Sequence, residues 1–198
     1  CALPEAYEKT VELKTVAADA KFRQTFRSEV DGSTQYYGVV PPSNFSPMKN
    51  YGVVLSLHGA GVKAKGQANA YSQKEWAYVV APTNRRRYGF DWEEWGHLNG
   101  LAALEDAASR FNTDRSRFHV TGHSMGGHGT WHFGVMHPGI FASVNPSAGW
   151  ASFYTYPPGR TSKPSEPVQS ARAHSETMNY LANLADRPLY LVHGTADR

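Results

Sequence analysis

Gly122-His123-Ser124-Met125-Gly126 sets one hydroxyl between two glycines at the spacing G-x-S-x-G. In that pattern the serine sits on a sharp strand-to-helix turn, with its Oγ lifted clear of the main chain. The glycines have a steric reason: neighbouring main chain passes so close that a Cβ would clash, and the turn itself favours residues free of that limit. A serine hydroxyl is a weak nucleophile at neutral pH. It needs a base to accept its proton and amide donors aimed at the oxyanion of a tetrahedral intermediate. The Met125 amide, directly after the serine, is one such donor. The run His58-Gly59-Ala60-Gly61 supplies the other, expected at Ala60. Asp197, in Leu191-Val192-His193-Gly194-Thr195-Ala196-Asp197, stands a few residues past an apolar run, where the acid of a Ser…Asp…His order belongs. The chemistry expected is acyl transfer: Ser124 attacks a carbonyl, a histidine acts as base and then acid, Asp197 orients it, and the Ala60 and Met125 amides hold the oxyanion.

That histidine is the missing part. Nine histidines are present. His123 flanks the nucleophile and is assigned, with Trp150, to substrate contact; His58 and His193 precede glycines at strand ends; His128, His132 and His137 ride the helix behind Ser124; His97, His119 and His174 have no reason to reach it. His128 and His132 are four apart and could share a helical face as a metal pair, but no third ligand is apparent, so packing positions are expected and neither metal nor cofactor is assigned. Asp114, in a polar turn, is expected to cap structure. The chain ends one residue after Asp197, which leads to the expectation that a separate C-terminal segment carries the base; the rival expectation is a hydrolase-like chain that has lost catalysis and only binds.

The elements must place these residues. Apolar, β-prone residues on both sides of Asp31-Gly32 predict a hairpin over Phe22 to Val40. Tyr51 to Leu57, Tyr78 to Ala81 and Phe118 to Thr121 read as short buried strands. Leu98, Leu101, Leu104, Ala107, Ala108 and Phe111 recur at helical spacing and predict one apolar face on a helix from about Glu93 to Phe111. A helix follows Gly126-Gly127 and breaks at His137-Pro138, with a strand over Ile140 to Val144. Tyr154 to Pro167 reads as an irregular insertion, Ser170 to Ala185 as a helix, and Leu189 to Val192 as a last strand. Alternating strands and helices predict an α/β domain: a mostly parallel sheet with helices on both faces. Trp92, Trp95, Trp150, Tyr154 and Tyr156 fall in loops expected at strand ends, where open α/β sheets bind ligands; for Trp92 and Trp95 core packing is an equal possibility.

Composition bounds the partners. The 198-residue chain carries a formal charge of +3 and 40% hydrophobic residues, which fits one globular domain and offers none of the dense basic stripe that a nucleic acid requires. Arg85-Arg86-Arg87 is the basic run, expected as a solvated loop. The single cysteine, Cys1, excludes an internal disulfide; it fits either a lipid-attachment residue or an arbitrary chain boundary, the latter preferred. No apolar stretch approaches a membrane span, and a secreted or periplasmic location is expected.

LSLHGAG, FNTDRSRFHVTGHSMGGHGT and LYLVHGTAD resemble the oxyanion loop, nucleophile elbow and acid loop of the serine esterases and peptidases with the α/β-hydrolase fold, above all the polyhydroxybutyrate-depolymerase, feruloyl-esterase and prolyl-oligopeptidase-like branches. The resemblance implies a single α/β-hydrolase domain over 1–198 that lacks its last strand, histidine loop and helix. It implies an ester substrate, small or polysaccharide-linked, with a peptide as the alternative.

Overall fold

A computed structural model of the chain describes residues 8–12, 15–156 and 164–197. Cys1, part of the 154–167 insertion and Arg198 lie outside them. The hairpin forms as β1 (Phe22–Arg27) and β2 (Thr34–Val40), paired antiparallel. It is followed by β3 (Tyr51–Leu57), a short helix α1 (Ala64–Asn69), β4 (Ala77–Ala81), α2 (Glu94–Arg110), β5 (Thr113–His123), α3 (Met125–Met136), β6 (Ser143–Ser147) and α4 (Glu166–Arg172). The sheet order is β1-β2-β4-β3-β5-β6, parallel from β4 to β6. Beyond β6, residues 188–192 run parallel to it through bridges at Leu189 and Val192.

Side-chain alternation along the strands sends residues to two faces. Val39, Val53, Leu55, Val80 and Val120 join Phe118, Phe133 and Trp92 in the larger core, beneath α2 and α3. Val40, Val79 and Ala81 meet Ala68 of α1 on the other face. The chain leaves β3 for β4 on one side, then crosses back past β3 to β5 on the other. The crevice outside the carboxyl ends of β3 and β5 is therefore the point where strand order reverses, which is where such sheets hold ligands.

Three elements differ from expectation. The buried stripe of α2 is Gly96, Asn99, Gly100, Ala103, Leu104 and Ala107, while Leu98 is 43% exposed. Small residues decide this, because a Cβ at Gly100 would sit 2.6 Å from Cζ of Phe133, so the helix can approach α3 only on that side. The strand expected over 140–144 lies at Ser143–Ser147 instead, with Ile140 at the surface and Phe141 filling the core from the loop. The helix expected over 170–185 is two pieces, α4 and a 3-10 helix at Thr177–Leu184, because the Glu176 side chain accepts from Met178 N and caps a new start. The arginine run is not simply solvated either: the Arg85 side chain is 10% exposed and pairs with Asp31 at 2.8 Å.

The α2–α3 contact carries a histidine cluster. His97 Nε2 lies 2.6 Å from His137 Nε2, and the His97 and His132 rings meet edge to face at 4.9 Å. Burial, then the neighbouring imidazoles, hold His97 and His132 far below the usual imidazole range, and burial lowers His137 as well. Folded imidazoles thus stay neutral while unfolded ones protonate below about pH 6.5. The unfolded state binds more protons there, so the stability present above that pH is lost on acidification, at up to ~1.4 kcal/mol per pH unit per imidazole. Urea denaturation at pH 7.5 and 5.5 should show a loss in the parent protein that is smaller in His132→Leu; equal losses would contradict it.

Candidate active site

Ser124 is the residue on which β5 turns into α3. Its backbone stands at φ 58, ψ −121, a conformation that costs a non-glycine residue about 1–3 kcal/mol and persists only where the surroundings over-determine it. Those surroundings are main chain. A Cβ at Gly126 would lie 2.0 Å from the Leu57 oxygen, and one at Gly122 would lie 2.3 Å from the Gly126 oxygen. The Ser124 amide donates to the Ser147 oxygen at 3.0 Å, tying the corner to the end of β6. A hydroxyl on such a corner stands at the start of a helix, whose unpaired N–H groups and dipole favour negative charge.

The β3 loop runs alongside. The Cβ position of Gly59 is 3.7 Å from Ser124 Cβ. Gly61 N donates to Arg87 O and Val62 N to Gly59 O, while neither the Ala60 nor the Met125 amide takes a hydrogen-bond partner among the described residues. The loop is braced from below by buried groups: Trp92 Nε1 donates to His58 O at 3.0 Å, and the His58 ring lies between Gly59 O and Thr83 O. Trp92, fully buried, is thus a core residue and not a pocket wall; Trp95 is 41% exposed beneath the Arg85 guanidinium. Asp91, Trp92 and Glu94 all have positive φ, a strained stretch held by that buried indole.

Ser124, Ala148, Gly149, Trp150, Thr155, Tyr156, His193 and Asp197 line one cleft of about 290 Å³. Of the residues expected to act together, Ser124, Asp197 and Trp150 share it, and Ala60 adjoins through Gly59. His123 is exposed beside the corner and its Nδ1 is 3.1 Å from Ser147 Oγ, so it borders the site without lining the cleft. His193 enters the cleft with its Nε2 3.7 Å from Asp197 Oδ2. Asp114 is the second residue of β5, at the opposite end of the strand from Ser124, and accepts from Ser116 and Arg117.

Sequence reasoning missed what lies behind Trp150. His128, 1% exposed on α3, has Nδ1 3.0 Å from the Trp150 oxygen and Nε2 3.1 Å from Glu93 Oε1. Its ring lies 4.9 Å from the indole and 10° from parallel, while Tyr156 stacks on the same indole at 4.1 Å and 6°. Glu93 and His128 are far apart in the chain, so no local pattern marks the pair. Among the described residues, no group of three or more His, Cys, Asp or Glu side chains is arranged to hold a metal ion.

The model of the Esterase family matches residues 61–198. The chain belongs to the esterase family. The chain shares its fold with the S-formylglutathione hydrolase of Staphylococcus aureus, at a TM-score of 0.65 and 18% identity over 89% of this chain and 80% of that one. It also shares it with the fluorophosphonate-binding serine hydrolase F of the same organism, at 0.62 and 14% over 90% and 91%. A CE1 ferulic acid esterase from Anaeromyces mucronatus matches at 0.53 and 17% over 72% and 62%. These likenesses place the sheet and elbow in the α/β-hydrolase fold. A curated relative, the "Uncharacterized secreted protein" of Arthroderma benhamiae, is 24% identical over 188 residues. The match takes in 84% of this chain but only 20% of that relative, so the chain spans about a fifth of its length.

Because the corner is set by main-chain contacts, Gly126→Ala should cost more than the ~1–3 kcal/mol of an ordinary overpacked site. Thermal melting with soluble yield checks this; a Tm within two degrees or so of the parent would contradict it.

Proposed function

We propose that the protein hydrolyses a carboxylic ester through an acyl-enzyme on Ser124. The observation that carries this reading is the strained Ser124 backbone at the mouth of a cleft that also holds Asp197. In the first half, a base takes the Ser124 proton as Oγ bonds to the ester carbonyl carbon, and the carbonyl oxygen becomes an oxyanion held by the Ala60 and Met125 amides. The intermediate collapses, the C–O bond to the alcohol breaks, and the protonated base returns its proton to the leaving alkoxide. Water then repeats the sequence on the acyl-enzyme, releasing the acid and restoring Ser124.

The base is a histidine on a segment that follows Asp197, oriented by that carboxylate. His193 is the competing candidate because it lies in the same cleft. It precedes the acid by four residues, and its Nε2–Oδ2 separation of 3.7 Å exceeds a hydrogen bond. Trp150 borders the acyl side of the cleft, with His123 at its rim. The substrate is a small or polysaccharide-linked ester, and the setting is outside the cytoplasm, as the name of the fungal relative suggests for that protein. Among the described residues no helix is long and apolar enough to cross a membrane. An ester is preferred over a peptide because the family matched is that of the esterases.

In the full-length protein, p-nitrophenyl esters should turn over and proline-directed peptides should not. Ser124→Ala should lose roughly 10⁴-fold or more in kcat, and Asp197→Asn about 10⁴-fold. A fluorophosphonate should label Ser124. Turnover of peptides alone sinks the ester assignment, and absent labelling favours a binding protein. A thousandfold loss in His193→Gln would move the base to His193.

A further inference from the structure

Trp150 is the first large side chain after β6. Its position is fixed on three sides. The His128 and Tyr156 rings are both near-parallel to the indole at 4.9 Å and 4.1 Å, and two rings at those distances cannot share one face, so the indole is sandwiched. Its carbonyl oxygen is taken by His128 Nδ1 at 3.0 Å. Phe153 closes the stack, 4.8 Å from the His128 ring and 5.5 Å from Trp150.

His128 is itself held. A main-chain carbonyl only accepts, so Nδ1 carries a proton. Nε2 lies 3.1 Å from Glu93 Oε1, so both ring nitrogens are engaged. Directional contacts at both ring nitrogens fix the orientation of the His128 ring more strictly than packing alone. Glu93 reaches this position from the strained stretch in which Asp91, Trp92 and Glu94 have φ of 49°, 68° and 44°. Strain of that kind is retained where it serves placement. The outcome is a line of contacts from Glu93 through His128 to Trp150 and Tyr156, which both line the cleft with Ser124.

We propose that Glu93 and His128 are positioning residues that hold the Trp150–Tyr156 stack as a rigid wall beside Ser124, and that this wall selects a planar acyl group. The proposal rests on the reading of Ser124 as the nucleophile. A ring conjugated to the reacting carbonyl would lie against the free face of Tyr156, which is 37% exposed, where an offset-stacked contact contributes beyond its buried area. A short alkyl acyl group gains nothing from the wall. If His128 loses its contact with Glu93, the His128 ring and the Trp150 carbonyl are free to shift, and the stack loses its register with the serine.

The test uses the full-length protein and the ratio of kcat/KM for p-nitrophenyl cinnamate over p-nitrophenyl acetate. Glu93→Ala should lower this ratio about tenfold, the worth of one well-placed aromatic contact, mainly through KM for the cinnamate ester. Trp150→Ala should lower it at least as much, and Glu93→Gln, which keeps an acceptor for Nε2, should recover part of it. A ratio within twofold of the parent in Glu93→Ala, with the fold intact by circular dichroism, overturns the positioning role. The same result in Trp150→Ala overturns the wall. Fluorophosphonate labelling of Ser124 in the same samples separates these failures from failure of the nucleophile assignment. If labelling is absent, binding of cinnamate followed by tryptophan fluorescence reads the wall directly. About tenfold weaker binding in Glu93→Ala then supports it, and unchanged binding overturns it.

Discussion

The Leu57 carbonyl oxygen occupies the space that a side chain at position 126 would need, at 2.0 Å from the Cβ position. That single close approach lets α3 start directly above the end of β3, and the site depends on it. With the helix start pressed against β3, the chain leaving β5 has no room for a gradual turn, and Ser124 absorbs the change at φ 58. The same approach brings the β3 loop alongside, with the Gly59 Cβ position 3.7 Å from Ser124 Cβ. Glycines at 122, 126 and 127 permit the approach, and the Ser124–Ser147 hydrogen bond secures its far side. The strain at the serine is therefore a consequence of packing that is satisfied elsewhere.

A second level of support lies outside the corner. Trp92 props the His58 carbonyl from inside the core, and the strained residues around it deliver Glu93 to the buried His128. One short segment before α2 thus braces both the proposed oxyanion loop and the aromatic side of the cleft. The histidines of α3 divide between two tasks: His128 reaches toward the site through its pair with Glu93, while His132 is buried against His97, which His137 meets from just past the helix end.

Much of this was legible in the chain because it is written locally. The runs YGVVLSL and AYVVA are almost wholly apolar, as expected of strands covered on both faces, and both appear with bounds within a residue of those expected. The elbow declares itself through glycine spacing. What escaped reading depends on contacts between distant residues. The stripe of α2 is set by where Phe133 of α3 needs space at Gly100, which no periodicity of α2 records. The strand Ser143–Ser147 contains Asn145 and Pro146 and looks unlike a strand; its pairing with β5 and the 188–192 edge holds it. Glu93 and His128 are 35 residues apart, and only the folded chain brings them to 3.1 Å.

The central claim is that the corner presents Ser124 Oγ to the free amides of residues 60 and 125. It is tested most directly by a crystal structure of the full-length protein after reaction with a fluorophosphonate, in which the phosphonyl oxygen stands in for the oxyanion. The account predicts a covalent bond at Ser124 with that oxygen about 2.7–3.1 Å from both amide nitrogens. An adduct on another residue, or one at Ser124 whose phosphonyl oxygen lies beyond reach of both amides, would contradict it.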